Sequence, residues 1–128
     1  MRYLLDTHTA FWYFEGSPEL SPKAKAVIEN NINRIFVSIV SAWEIAIKRS
    51  LERNKKTLCS AAEFLDEVTA SGFELLNVEP NHICKVEILP YHHRDPFDRL
   101  LIAAAMSENM AFISADKNVR KYDVMRLW

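Results

Sequence analysis

Four acids stand where a strand ends or where a carboxylate is costly. Asp6 closes the apolar run from Arg2 to Leu5, and Asp116 follows the apolar run Ala111 to Ser114. Glu44 shares a helical stripe with Val40 and Ile47, and Asp98 sits at the mouth of Leu100 to Met106, a segment with no polar face. An unpaired polar group buried on such a stripe costs on the order of 2–7 kcal/mol, and a charge costs more. Lys48 or Arg49 reaching round the helix is the plain compensation for Glu44. A metal ion shared with the other acids is the sharper one. Four carboxylates converging without a cation repel one another and push some pKa values up. Hard oxygen donors suit Mg²⁺ or Mn²⁺. Such an ion keeps several waters, and one can be activated for in-line attack on phosphorus, which is the chemistry of phosphodiester hydrolysis. Zinc is not indicated, because His92 and His93 are adjacent and project apart, and Cys59 and Cys84 are far from them in sequence.

Each acid also has an ordinary reading. Asp6 and Asp116 can be turn acids or helix caps. Asp98 can complete a capping box with Asp95 and favour the helix dipole. A division of labour fits the spacing better: Asp95 caps, Pro96 opens the helix, and Asp98 points at the site.

The elements that would carry these acids follow from periodicity. Arg2–Leu5, Arg34–Ser38, Phe73–Val78, Ala111–Ser114 and Met125–Trp128 read as short strands. Thr7 to Phe14 is a short aromatic helix closed near Gly16. Ser21-Pro22 places an N-cap and a first-turn proline at the start of the next helix, which runs to about Asn31. From Ser38 to Arg53, Val40, Trp43, Ile47 and Leu51 repeat at helical spacing, and Asn54 to Lys56 reads as a charged turn. Ser60 caps a helix with Phe64, Leu65 and Val68 on its face, ended at Gly72. Pro80 opens a helix with Ile83, Val86, Ile88 and Leu89 on its face, and Phe97 to Asn109 forms the last long helix. Strands alternating with helices predict an α/β fold, a parallel sheet covered on both faces. Ligands of such sheets bind beyond the carboxyl ends of the strands, where the strand order reverses. Asp6 and Asp116 both belong at that edge.

Bulk composition sets the frame. The chain has 128 residues, 49% of them hydrophobic, enough for a single domain over residues 1–128 with a real core. Sixteen basic against 17 acidic residues give a net charge of −1. That balance does not advertise nucleic-acid binding, so the distribution of charge must decide. Two isolated cysteines read as thiols of a cytoplasmic protein. The initial apolar run is too short for a signal peptide, and the longest one too short to span a membrane.

Four blocks together carry a family resemblance: Leu4-Leu5-Asp6-Thr7-His8-Thr9, then Val37-Ser38 with Ser41-Ala42-Trp43-Glu44-Ile45-Ala46-Ile47-Lys48, then His92-His93-Arg94-Asp95-Pro96-Phe97-Asp98-Arg99-Leu100-Leu101-Ile102-Ala103, then Ile113-Ser114-Ala115-Asp116. In this order and at these intervals the chain resembles the PIN-domain nucleases, and within them the bacterial VapC-type toxins. The resemblance implies a three-layer α/β/α sandwich around a mainly parallel five-stranded sheet. It implies a Mg²⁺- or Mn²⁺-dependent ribonuclease, usually a homodimer, inhibited by a cognate antitoxin protein. It carries over Asp6, Glu44, Asp98 and Asp116 as metal ligands and catalytic acids. Ser114 matches a small hydroxyl that orients the first Asp, with Thr7 as a further supporting residue. The departures are Ser114 where Thr is frequent and Met110 where a glycine often stands.

RNA needs cations near the acids. Lys48, Arg94, Arg99, Lys117, Arg120 and Lys121 lie around the acidic blocks, and phosphate contacts there would position RNA without reading its sequence. Arg99, beside Asp98, is the strongest candidate, followed by Lys48 and Lys117; solvated surface charge is the plain alternative. His8, His92 or His93 could protonate the leaving oxygen, or be structural. Phe11, Trp12, Tyr13 and Phe14 cannot all face the core of a short helix, so they are either sandwiched internally or covered by a partner. Three competing functions remain: a housekeeping RNA-processing nuclease, a receiver-like signalling domain, and a non-catalytic module. A receiver would want paired acids after the first strand and an Asp after the third, and neither is present.

Overall fold

A computed structural model describes residues 1–51 and 59–128. The order of elements is β1 (Arg2–Leu5), α1 (Thr7–Glu15), α2 (Pro22–Glu29), β2 (Arg34–Ser38), α3 (Ile39–Leu51), α4 (Ala61–Ala70), β3 (Glu74–Leu76), α5 (Pro80–Ile88), α6 (Pro96–Ser107), β4 (Ala111–Ile113), a 3₁₀ turn (Lys117–Lys121) and β5 (Arg126–Leu127). The expected charged turn at Asn54 to Lys56 and the expected helix end at Arg53 lie outside the described residues.

The strands form one parallel sheet in the order β3-β2-β1-β4-β5. The chain lays β2 and β3 to one side of β1, then returns to lay β4 and β5 on the other. The strand order therefore reverses at β1, and the crevice between β1 and β4 is where such sheets hold their ligands.

Alternation along the strands builds two cores. Tyr3, Leu5, Ile35, Val37, Ala111 and Ile113 face α1 to α4 and pack with Ala10, Ile28, Ile45, Phe64 and Val68. Leu4, Phe36 and Phe112 face the other way, onto Leu101, Ile102, Ala105 and Leu89. The result is the expected three-layer α/β/α arrangement. Among the described residues no helix is long and apolar enough to cross a membrane.

Helix α6 buries Leu101 through Ala105 without interruption, as its lack of a polar face predicts. Ser21 caps α2 through the Ala24 N–H, and Ser60 with Glu63 completes a reciprocal capping box on α4. Gly16, at φ 64°, terminates α1 in the left-handed region that favours glycine.

Two expected helix faces are corrected. In α3, Trp43 and Leu51 are exposed, and the buried side runs through Val40, Ser41, Ala42, Glu44 and Ile45. The apolar repeat overlapped the buried face without defining it, because the small residues Ser41 and Ala42 occupy part of that face. In α5, Ile83 and Ile88 are exposed. What docks that helix is His82, fully buried: its Nδ1 accepts from the Glu79 N–H, and its Nε2 lies 2.9 Å from the Glu108 carboxylate. The α1 aromatics find partners within the chain. Phe11 and Phe14 meet Phe64, Tyr13 and Phe14 meet Phe73, and Trp12 meets Trp128.

Candidate active site

Asp6 leaves the end of β1 and is clamped from two sides. Its Oδ1 accepts the Thr7 N–H at 2.8 Å, capping α1, and its Oδ2 accepts the Ser114 hydroxyl at 2.7 Å. Its own N–H donates to the Ile113 carbonyl at 3.0 Å, so β1 and β4 are sewn together beside the acid. Burial raises the Asp6 pKa, and the hydrogen bonds from Ser114 and Thr7 offset part of that rise.

Glu44 is 3% exposed and meets both kinds of partner that a buried carboxylate needs. Thr7 Oγ1 donates to Oε1 at 3.1 Å and stands 2.8 Å from Ser41 Oγ, while the Lys48 ammonium, one helical turn on, reaches Oε2 at 2.6 Å. The plain compensation read from the sequence is therefore present. The Glu44 hydrogen bond holds the Lys48 pKa above its ordinary value, helped by the charges of Glu44, Asp95 and Asp98.

The two acids at the head of α6 separate as expected. Asp95 accepts the Phe97 N–H at 2.8 Å and caps the helix. Among the described residues no donor reaches the Asp98 carboxylate, and its pKa is pushed up to about 7 by burial first, then by the charges of Asp6, Asp95 and Glu44. Asp116 has the opposite surroundings. Its Oδ1 accepts the Asn118 N–H at 2.9 Å, and its Oδ2 lies 2.5 Å from His93 Nε2. Burial raises its pKa, but the His93 and Asn118 hydrogen bonds and the Arg126 charge outweigh that, and the net shift is downward. Ser114 links the two strand-end acids, since the same Oγ that donates to Asp6 accepts the Asp116 N–H at 3.1 Å.

All four acids open into one cleft of about 340 Å³, lined also by His8, Trp12, Lys48, Asp95 and Ala115. Among the described residues no three Asp, Glu, His or Cys side chains already stand in a ligating arrangement. The donor set nonetheless fits a hard divalent cation. It is all carboxylate oxygen and it lies in one cleft, where the neighbouring acids Asp6, Asp95 and Glu44 add to the rise that burial causes at Asp98.

Of the expected phosphate contacts, Lys48 lines the cleft, and Lys117 is exposed on the turn directly after Asp116. Arg99 does not belong to this group and is corrected. Its side chain is buried; its guanidinium donates to the carbonyls of Pro90, Val86 and Leu89 and lies 3.9 Å over the Tyr91 ring. It ties the end of α5 to the start of α6, because residue 99 turns away from the face that Asp98 presents. His8 lines the cleft, exposed and next to Trp12. His92 packs edge-on against Tyr122 instead. The sequence offered no sign that Tyr122 serves the site. In the sequence His93 stands as a possible acid for the leaving oxygen, two residues before the capping Asp95, and not as a partner of Asp116.

The pattern of the PIN domain matches residues 3–125 of the chain. The chain is 26% identical over 120 residues to ribonuclease VapC22 of Mycobacterium tuberculosis (strain ATCC 25618 / H37Rv), covering 93% of this chain and 90% of that protein. In fold it resembles VapBC2 from Rickettsia felis bound to a promoter DNA fragment, with a TM-score of 0.74 at 16% identity over 100% of this chain and 99% of that one. It also resembles DNA-bound VapBC from Salmonella typhimurium, with a TM-score of 0.69 at 13% identity, covering 100% of this chain and 97% of that one. With the acids of four blocks gathered at the reversal of a parallel sheet and the family pattern running almost end to end, the chain belongs to the PIN domain family.

Proposed function

We propose that this protein is a divalent-cation-dependent endoribonuclease of the VapC type, the toxin of a toxin–antitoxin pair. One observation carries the reading: Asp6, Glu44, Asp98 and Asp116, separated by more than a hundred residues of chain, line a single cleft at the β1–β4 crevice. The likeness to a ribonuclease over nearly the whole chain supports RNA as the substrate. Asp6, Glu44, Asp98 and Asp116 would hold Mg²⁺ or Mn²⁺, which when bound supplies an activated water and positive charge at the reacting phosphate.

The chain's own residues prepare that site. Ser114 and the α1 N-terminus fix the rotamer of Asp6, and Thr7 with Ser41 fixes Glu44. Lys48 adds a cation to the cleft that would attract a phosphodiester and draw it toward the acids. Lys117, on the rim, would hold backbone phosphate without reading bases. The cleft is open, which suits a polymer threaded past it. The structures of VapBC assemblies support an antitoxin partner, and a homodimer working in the cytoplasm completes the reading.

The test is cleavage of single-stranded RNA with Mg²⁺ or Mn²⁺, with and without EDTA, by wild type and Asp6→Ala. Cleavage that needs the cation and is lost in the variant is the expected result. Equal cleavage under all four conditions would refute the mechanism.

A further inference from the structure

A chain of hydrogen bonds from residues that do not line the cleft ends on Asp116. The His92 N–H donates to Tyr122 Oη at 3.1 Å, Tyr122 Oη is 2.9 Å from His93 Nδ1, and His93 Nε2 is 2.5 Å from Asp116 Oδ2. Both side chains are enclosed: His93 is 8% exposed and Tyr122 5%. Their rings stack, with centroids 5.4 Å apart and planes 28° apart.

Donor bookkeeping fixes the two ends of the chain. An ionised carboxylate offers only lone pairs, so Nε2 must carry a proton toward Asp116. At the middle bond, Nδ1 accepts the Tyr122 hydroxyl proton when the ring is neutral and donates to the Tyr122 oxygen when the ring is protonated. The Tyr122 oxygen is free to accept from the His92 backbone. In either state the backbone N–H donates at one end, the carboxylate accepts at the other, and every bond is satisfied. The other Asp116 oxygen is held by the Asn118 N–H, and neither bond uses all the lone pairs of its oxygen.

We propose that His93 and Tyr122 form a positioning relay that holds Asp116 in one rotamer, with its free lone pairs presented to the divalent cation in the cleft. The relay explains why a residue two positions before the α6 cap reaches across to the turn after β4. Its chemistry is that of outer-shell partners, which orient a ligand without touching the ion. It also removes His93 from the candidates for a general acid, because both ring nitrogens are committed. The proposal rests on the reading of Asp116 as a cation ligand.

The test is Mn²⁺ binding to the full chain, followed by titration calorimetry, with thermal unfolding of each variant as a control. His93→Ala is expected to weaken Mn²⁺ binding by about 10- to 100-fold, the usual cost of losing an outer-shell partner. His93→Gln, whose amide nitrogen can occupy the place of Nε2, should recover most of the affinity. Tyr122→Phe keeps the ring stack and removes only the hydroxyl, so it should fall between these two. A folded His93→Ala that binds Mn²⁺ like wild type, or a His93→Gln that loses as much as His93→Ala, would overturn the relay. If His93→Ala does not fold, weaker binding by Tyr122→Phe with retention in His93→Gln supports the relay, and unchanged binding by Tyr122→Phe rejects it. Wild type that binds no Mn²⁺ sinks the proposed function and the relay together, whereas tight wild-type binding that ignores residues 93 and 122 sinks the relay alone.

Discussion

Two corners of the same cleft treat a carboxylate in opposite ways. At the β4 corner Asp116 is surrounded by donors and sits below its ordinary pKa. At the α6 corner Asp98 meets burial and three negative neighbours, and rises to about 7. One acid has been given its counter-dipoles by the protein and the other has not. If the cleft takes the proposed cation, Asp98 gains most from it, because Asp116 already has a donor on each oxygen. A site built wholly like the Asp116 corner would be stable and would gain little from binding. A site built wholly like the Asp98 corner would not stay ionised.

The contrast can be broken most sharply through activity. Asp98→Asn should lower RNA cleavage by on the order of a hundredfold to a thousandfold, the size of several kcal/mol of lost charge stabilisation, with folding retained by circular dichroism. Cleavage at the wild-type rate would remove Asp98 from the site. The next effect is on stability and lies just outside the cleft. Arg99→Ala strips donors from three carbonyls and should cost on the order of 2–4 kcal/mol in denaturant unfolding. Whatever remains folded should cleave RNA normally, since Arg99 does not face the acids.

A pH titration then sharpens the comparison in the cation-free protein. The folded-state pKa of Asp98 lies above its ordinary value of 3.8, so the unfolded chain releases this proton first as pH rises. Through this group wild type therefore loses stability as pH climbs from about 4 to about 7, a contribution absent from Asp98→Asn. The variant should match wild type near pH 4 and melt about 3–6 °C higher above pH 7, a size discounted because the group is partly exposed. A melting difference that shrinks as pH rises would reverse the sign and defeat the argument. The smallest effect belongs to the neighbour. Asp95→Ala removes a cap and should cost about 1 kcal/mol of stability with cleavage close to normal. A large loss of activity there, with a small one in Asp98→Asn, would exchange the roles of the two residues.

The same contrast separates what local sequence could show from what it could not. Strand ends, caps and the apolar length of α6 are local properties, so Arg2–Leu5, Ser21, Ser60 and the Asp95/Asp98 division were readable. The grouping of the acids was readable because each occupied a place where its charge needed an explanation. The buried face of α3 was harder, since Ser41 and Ala42 bury as well as Trp43 would and are smaller. Arg99 looked like a phosphate ligand because its neighbour faced the cleft; a helix turns roughly 100° per residue, which sends it to the opposite side. Tyr122 and His93 are 29 residues apart, and nothing in either stretch points to the other. Hydrogen bonds across that distance become visible only when the fold brings their ends together.

The central position of β1 has a consequence for synthesis. Asp6 is translated well before its partner: the Ser114 hydroxyl that clamps it lies 108 positions later. Its β4 neighbour, the Ile113 carbonyl that takes its N–H and the acid Asp116 are equally late. A nascent chain arrested before β4 has an open edge beside β1 and no assembled cleft. For a protein proposed to cut RNA, made by a machine built of RNA, this topology delays the blade until β4 and the turn after it have been translated.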